Sequence, residues 1–294
     1  MTNTAIAKSY FDTVLIIGVG LIGGSLGLAL KEHQGAKTIL GVGRSQSNLD
    51  SALQRGLIDE VVSLEEGATR ADLIVVCVPV AQTEEVLKAL LPHLKPSAIV
   101  TDVGSTKMDV ILAAKNAMAE HVCQFIPAHP IAGSASHGAL AAKSDLYKNR
   151  QVILCPLQEN APENVNRIEN LWKSLGANLF KMSAVQHDSV FAAVSHLPHV
   201  LSYALMLQVA NAEDSSTKFR HAGAGFRDFT RIAASSPEMW RDICLANRES
   251  LLKEIDGYLL VVQHLQALIK QKDGANLEKL FSKASASRNQ WELN

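Results

Sequence analysis

The sequence is short of three things, each of which would commit it to a particular kind of partner: net charge, aromatic residues and paired cysteines. Lys and Arg number 28 against 29 Asp and Glu, a formal net charge of -1, and aromatic residues make up 5% of the 294 positions. Nucleic acid is held by clustered cations and by aromatic stacking surfaces, so this chain has neither the field nor the platform for it. The four cysteines, Cys77, Cys123, Cys155 and Cys244, stand far apart and form no C-x-x-C pair. That spacing offers no zinc ribbon and no dithiol redox pair, and it fits reduced thiols in the cytoplasm. Val14 to Leu30 is almost wholly apolar, yet Gly18, Gly20, Gly23, Gly24 and Gly27 interrupt it and Lys8 is the one basic side chain before it. Such a run is a poor secretory or membrane segment. We therefore expect a cytoplasmic protein with no nucleic-acid or membrane partner.

What is present is apolar material, 47% hydrophobic against 19% charged. This is enough for a sizeable core, and the length suits about two domains. From Thr13 to about Phe180, short β-branched runs (VLIIG, TILGVG, LIVVCVPV, AIVTDVG, QFIPAHP, QVILCP) alternate with helical stretches. Continuous apolar runs are strands buried on both faces, so the pattern predicts a Rossmann-type, doubly wound parallel α/β sheet over residues 1–184. Residues 185–294 carry only helical patterns, and we expect an all-helical domain there. One of its helices starts at Ser236, a good cap, with Pro237 in the first helical position. Beyond about Lys272, one short amphipathic stretch with a polar tail is expected. Val190 to Ala212 is apolar nearly all round apart from Ser195-His196 and Pro198-His199. A helix without a polar face needs cover on every side, which about 110 residues cannot supply alone, so a homodimer through residues 186–294 is expected.

Gly18-Val19-Gly20-Leu21-Ile22-Gly23 fits G-x-G-x-x-G between a strand and a helix. The first glycine permits the turn, the second lets a pyrophosphate approach the backbone, and the third lets helix and strand pack closely. Gly18, Gly20, Leu21, Ile22 and Gly23 are thus candidate dinucleotide-binding residues. Twenty residues further on, where a carboxylate would grip an NAD ribose, stand Gly43-Arg44-Ser45. Arg44 and Ser45 suit a 2′-phosphate, which favours NADP while leaving NAD possible. The plainer reading of Arg44 is a solvated loop residue stacked on adenine.

Ligands in such sheets bind beyond the carboxyl ends of the strands. Three later strands end in Pro79, in Asp102-Val103-Gly104-Ser105-Thr106-Lys107 and in His129-Pro130. A histidine is suited to take a hydroxyl proton while hydride leaves the same carbon, although a lone histidine before proline is often structural. His196 and His199 lack the companion ligands a metal site needs, so no metal is expected. His187, His137 and His221 read as surface or packing residues.

The segments GVGLIGGSLGLAL, DVGSTK, PAHPIAGS, AVSHLPHVLSYAL and GFRDFTRIAASSPEMWRDI, taken in order along nearly the whole chain, resemble the TyrA family of prephenate and arogenate dehydrogenases. The resemblance implies a Rossmann-type domain followed by a helical dimerisation domain. It also implies NAD(P)-dependent oxidative decarboxylation of a cyclohexadienol in tyrosine biosynthesis. By the same resemblance His129 is the catalytic histidine, Ser105 stands beside the ring hydroxyl, His196 and His199 line the substrate pocket, and Arg231 binds a substrate carboxylate. A dianionic substrate needs a fixed cation, and guanidinium pairs with carboxylate bidentately. The 22 or so residues after Lys272 are too few for the regulatory ACT module of some relatives, so tyrosine, if it inhibits, is expected to compete at the active site.

Two other readings compete. β-Hydroxyacid and pyrroline-carboxylate reductases share the layout but place a catalytic lysine in the helical domain, and no lysine occurs from Ser183 to Thr217. A non-catalytic NADP sensor would have no need of His129, Ser105 and Arg231 together. No readable motif separates prephenate from arogenate.

Overall fold

A computed structural model of the chain describes residues 11–133 and 138–292. Lys8, Ser134 and His137 lie outside the described residues. The strands are β1 (Phe11–Ile17), β2 (Ala36–Val42), β3 (Glu60–Val61), β4 (Leu73–Val76), β5 (Ile99–Asp102), β6 (Phe125–Ile126), β7 (Ala128–Pro130), β8 (Gln151–Leu154) and β9 (Asn178–Lys181). The helices are α1 (Leu21–Glu32), α2 (Gln46–Gln54), α3 (Leu64–Arg70), α4 (Thr83–Leu90), α5 (Met108–Met118), α6 (Pro162–Ser174), α7 (Ala184–Phe191), α8 (Leu197–Ala210), α9 (Ser215–Arg220), α10 (Ala224–Thr230), α11 (Pro237–Ala246), α12 (Arg248–Gln271) and α13 (Gly274–Glu292).

Six strands form a parallel sheet in the order β3-β2-β1-β4-β5-β6. Alternation along β1 sends Val14 and Ile16 into one core and Leu15 and Ile17 into the other. Both faces of the sheet are therefore covered, as a parallel sheet requires. The order reverses between β1 and β4, and the crevice for a ligand opens there, beyond the strands' carboxyl ends.

The sequence reading ran all its strands into one parallel sheet, whereas the structure divides them. QFIPAHP splits at Pro127 into β6 and β7, and β7 pairs antiparallel with β8 in a separate three-stranded sheet completed by β9. Pro127 has no N–H to continue the ladder, and the next amide, Ala128 N–H, donates instead to Asp102 Oδ1 at 3.0 Å. This diversion takes His129 out of the main sheet and sets its strand beside the end of β5.

The chain forms two compact units, one running to Asn247 and the other from Arg248. In the first, Ser183 caps α7 by accepting from Gln186 N–H at 3.2 Å. A π turn over Ala192–His196 then leads into α8. Pro198, in the first turn of α8, has no N–H to return to the preceding turn, and a widened turn at that point re-aims the side chains around it. The whole run Ala184–Ala210 is long and apolar enough to cross a membrane by length and composition, and little of it is buried. Ser236 caps α11, accepting from Met239 N–H at 3.4 Å, with Pro237 first in the helix. That helix ends at Ala246, and after Asn247 a separate helix, α12, begins at Arg248. In the second unit α12 and α13 pack against each other. The tail after Lys272, expected to be a short stretch, is a helix of 19 residues.

Candidate active site

At the β1–α1 turn the backbone dictates the sequence. Gly18 sits at φ +96°, and a Cβ on it would lie 2.5 Å from the Cys77 carbonyl oxygen. On Gly23 a Cβ would lie 2.3 Å from the Gly18 carbonyl oxygen. At Gly20, by contrast, a Cβ would meet nothing within 4 Å, so the turn leaves open space beside its backbone. Leu21, Ile22 and Gly23 begin α1, where a helix leaves its N–H groups without intrahelical acceptors. An open cradle at a helix start is the form a pyrophosphate fits. Asn48 on α2 holds the turn, donating from Nδ2 to the Val19 carbonyl at 2.7 Å. Arg44 is exposed at the end of β2 and makes no hydrogen bond or ion pair among the described residues. Ser45 spends its hydroxyl partly on capping α2, accepting from Asn48 N–H at 3.4 Å. Pro79 follows β4 at the same end of the sheet.

His129, on β7, is buried, and its Nδ1 lies 2.8 Å from His187 Nε2 on α7. His187 Nδ1 lies in turn 2.8 Å from Asp188 Oδ1. The carboxylate also accepts the backbone N–H of Lys107 at 2.8 Å and of Met108 at 2.9 Å. This chain of contacts fixes every proton. An ionised carboxylate can only accept, so His187 carries its proton on Nδ1, its Nε2 accepts from His129 Nδ1–H, and His129 Nε2 is left with a lone pair. Burial works against the charge on Asp188, but the hydrogen bonds from His187 and the two amides outweigh it and hold the carboxyl below its usual range. Burial, reinforced by His187, Lys107 and His196, holds the His129 imidazole well below the ordinary histidine range. His129 is therefore neutral at neutral pH.

The DVGSTK segment supports this arrangement from below. Lys107 is fully buried, with its ammonium paired to Asp102 and donating to the Ala128 carbonyl at 2.9 Å. One charge pair thus ties the end of β5 to the strand that carries His129, and Ser105 sits half-exposed in the intervening loop. Such a pair needs every remaining proton and lone pair satisfied to repay its desolvation. Asp102 meets this by also accepting Gly104 N–H at 2.8 Å and Ala128 N–H at 3.0 Å.

On the helical side, His196 is buried and burial pushes its pKa down to about 4. His199 is half-buried, donates from Nδ1 to the Ser195 carbonyl at 2.9 Å and stacks on Trp240 at 3.6 Å between centroids. Burial depresses its pKa, and the positive charge of Arg231 adds to that. Arg231 itself is exposed, in the 3-10 turn after α10. The structure thus gathers His129, Ser105, His196 and His199 at one end of the sheet, with Arg231 near His199.

Of the two readings open for His187, the structure excludes the surface one and adds partners the sequence does not indicate. His187, read from sequence as a surface or packing residue, is fully buried and hydrogen-bonded on both nitrogens, because it lies on the side of α7 that faces β7, while Val185 and Gln186 face solvent. No motif in the sequence marks its neighbour Asp188. His221 is exposed. Among the described residues no group of His, Cys, Asp and Glu is arranged to hold a metal ion.

Comparison with known proteins meets this geometry from another direction. Models of the prephenate dehydrogenase nucleotide-binding domain and of its dimerization domain match residues 26–181 and 183–283. A prephenate dehydrogenase from Bacillus subtilis is 37% identical over 280 residues, covering 94% of this chain and 75% of that one. A cyclohexadienyl dehydrogenase from Zymomonas mobilis is 34% identical over 281 residues, 95% of each chain. The crystal structure of prephenate dehydrogenase from A. aeolicus, in complex with hydroxyphenyl propionate and NAD+, superposes with a TM-score of 0.89 at 32% identity, covering 95% of this chain and 98% of that one. With both models matched in tandem over most of its length, the chain belongs to the prephenate dehydrogenase family.

Proposed function

We propose that the protein is a cytoplasmic, homodimeric prephenate or arogenate dehydrogenase of tyrosine biosynthesis. It converts its cyclohexadienol to 4-hydroxyphenylpyruvate or tyrosine, with NADP preferred over NAD. The observation that carries this reading is the Asp188–His187–His129 chain, which presents a neutral imidazole lone pair at the mouth of a dinucleotide fold. Residues 1–184 serve as the dinucleotide domain, and residues 185–294 provide the substrate pocket and the dimer contact.

A bound nicotinamide supplies the acceptor for hydride leaving the ring carbon that bears the hydroxyl. His129 Nε2 takes the hydroxyl proton as that carbon becomes a carbonyl, while Ser105 hydrogen-bonds the same oxygen. His187 and Asp188 disperse the positive charge that develops on His129, as the buried acid of a catalytic triad does for its histidine. The ring carbonyl is conjugated to the carbon holding the ring carboxylate, so carbon dioxide departs and its bonding electrons flow to the oxygen. The resulting phenolate takes a proton back from His129, and the proton count closes. Aromatisation supplies the driving force, and the chain's task is positioning plus one base. Arg231 pairs with a carboxylate of the substrate.

NADP preference rests on Arg44, a cation with no partner among the described residues at the end of β2, where no carboxylate stands to grip an NAD ribose. A steady-state comparison of prephenate and arogenate, each with NAD and NADP, tests the reading. With the better substrate, Arg44→Ala should weaken NADP by about 1.5–3 kcal/mol and leave NAD nearly unchanged. Equal losses for both cofactors would remove Arg44 from the 2′-phosphate site.

Dimerisation is supported by apolar side chains that lie open to solvent within each unit. Leu207 on α8 is 60% exposed, and Leu260 on α12 and Phe281 on α13 are 67% and 57% exposed. A second copy of the chain is the cover that the reading assigns to these side chains. Light scattering at micromolar concentration should give a dimer mass, and a monomer would contradict the proposal.

A further inference from the structure

His196 is held by a residue that no motif of the sequence singles out. Asn247, 4% exposed at the break after α11, donates from its side-chain amide nitrogen to the Asp188 backbone carbonyl at 2.7 Å. The same nitrogen lies 3.1 Å from His196 Nδ1. The first contact fixes the amide's orientation, since the flipped amide would set its oxygen against a carbonyl oxygen. The second proton of that nitrogen then points at His196 Nδ1, which can only accept it. His196 therefore carries its own proton on Nε2. That atom is buried and makes no hydrogen bond of close geometry, and the Ser105 backbone faces the ring as an acceptor for its proton, which favours the same tautomer.

The neighbouring imidazoles are set the other way. His129, His187 and His199 each present Nδ1–H to an acceptor, respectively His187 Nε2, the Asp188 carboxylate and the Ser195 carbonyl. The groups facing His196 are Asp188 and His187 on α7, His199 on α8, the Ser105 backbone in the β5–α5 loop and the edge of Trp240 on α11.

We propose that Asn247 is a positioning residue that fixes His196 as the Nε2–H tautomer, so that His196 meets an oxygen of the substrate as a neutral hydrogen-bond donor. The charge-neutral ring gives direction without a cation's indifference to geometry, and the cationic part of recognition is left to Arg231. This deepens the reading of His196 as a substrate-pocket residue and rests on it.

The test has two parts. Nitrogen NMR of the histidine side chains of the wild-type dimer at pH 7, without substrate, should find His196 protonated on Nε2 and His129, His187 and His199 on Nδ1. His196 protonated on Nδ1, or on both nitrogens, would overturn the proposal. In Asn247→Asp the carboxylate draws the His196 proton to Nδ1, so kcat/KM for the cyclohexadienol should fall by roughly 10- to 100-fold, the range of a lost hydrogen bond at a buried site, with dinucleotide affinity unchanged. In a His196→Asn background the same substitution should cost clearly less, only what losing the Asn247 bond to the Asp188 carbonyl costs, because the part carried by the His196 tautomer is already gone. A full additional loss there would make Asn247 a merely structural residue and sink the idea. Should Asn247→Asp not fold, the wild-type tautomer alone decides. Absence of turnover with either cyclohexadienol would overturn the functional reading, while leaving the tautomer measurement intact.

Discussion

His129→Asn should lower kcat by roughly 10²- to 10⁴-fold while dinucleotide binding stays nearly unchanged. The amide keeps a donor for His187 Nε2 and much of the ring's shape, and it removes the one lone pair able to take the hydroxyl proton. Stopped-flow measurement of a single turnover separates that chemical loss from binding. Retention of most of the wild-type rate would take His129 out of the mechanism. The wild-type enzyme should also keep its activity further into acid than an ordinary histidine base allows. The competent form is neutral, activity is lost as the pH falls through its pKa, and burial holds that pKa well below 6.5. The acid limb of kcat/KM belongs to the His129–His187 pair rather than to either ring alone. It should lie below pH 6.5 and disappear from the residual activity of His129→Asn.

Asp188→Asn is expected to cost nearly as much, roughly 10²- to 10⁴-fold in kcat, although Asp188 is buried and bonded to His187 rather than to His129. All the groups aimed at its carboxylate are donors: His187 Nδ1, Lys107 N–H and Met108 N–H. An amide must set its own NH₂ against one of them. If His187 responds by moving its proton to Nε2, His129 must accept on Nδ1 and carry its proton on Nε2, where the base is needed. The variant should bind dinucleotide normally and regain little activity at high pH, because its fault is the position of a proton and not the ring's charge. Activity within a few-fold of wild type would show that the relay does not set the tautomer of His129.

The parts of this site that sequence makes legible are those set by local rules. Gly18 and Gly23 are demanded by one turn that Gly20 leaves open, the three stand at fixed spacing, and His129 and Ser105 fall where strands end. His187 and Asp188 escape such reading because their partners are 58 and 81 positions away, and no periodicity links a helix start to a strand that distant. Gln186-His187-Asp188-Ser189 looks like the polar first turn of a helix facing water. The available signal was the pairing of a histidine with an adjacent acid directly before an apolar run, with Phe191 one turn on and buried on the same side. The second sheet was missed for a related reason. The strand character of QFIPAHP is plain, but whether Pro127 ends a strand or merely interrupts it depends on Asp102, which captures the next amide. Helix α13 escapes such reading because its sequence is mostly polar, which by pattern alone argues for a tail.

The measurement that bears most directly on the function is the yield of carbon dioxide per reduced nicotinamide, with purified protein, prephenate or arogenate, and NADP or NAD. Oxidative decarboxylation driven by aromatisation requires one carbon dioxide and one aromatic product for each cofactor reduced, and that ratio is the expected result. Cofactor reduction without carbon dioxide release would make this a simple hydroxyl dehydrogenase on the same fold, and no reduction with either substrate would contradict the assignment of His129 as the base of a cyclohexadienol dehydrogenase.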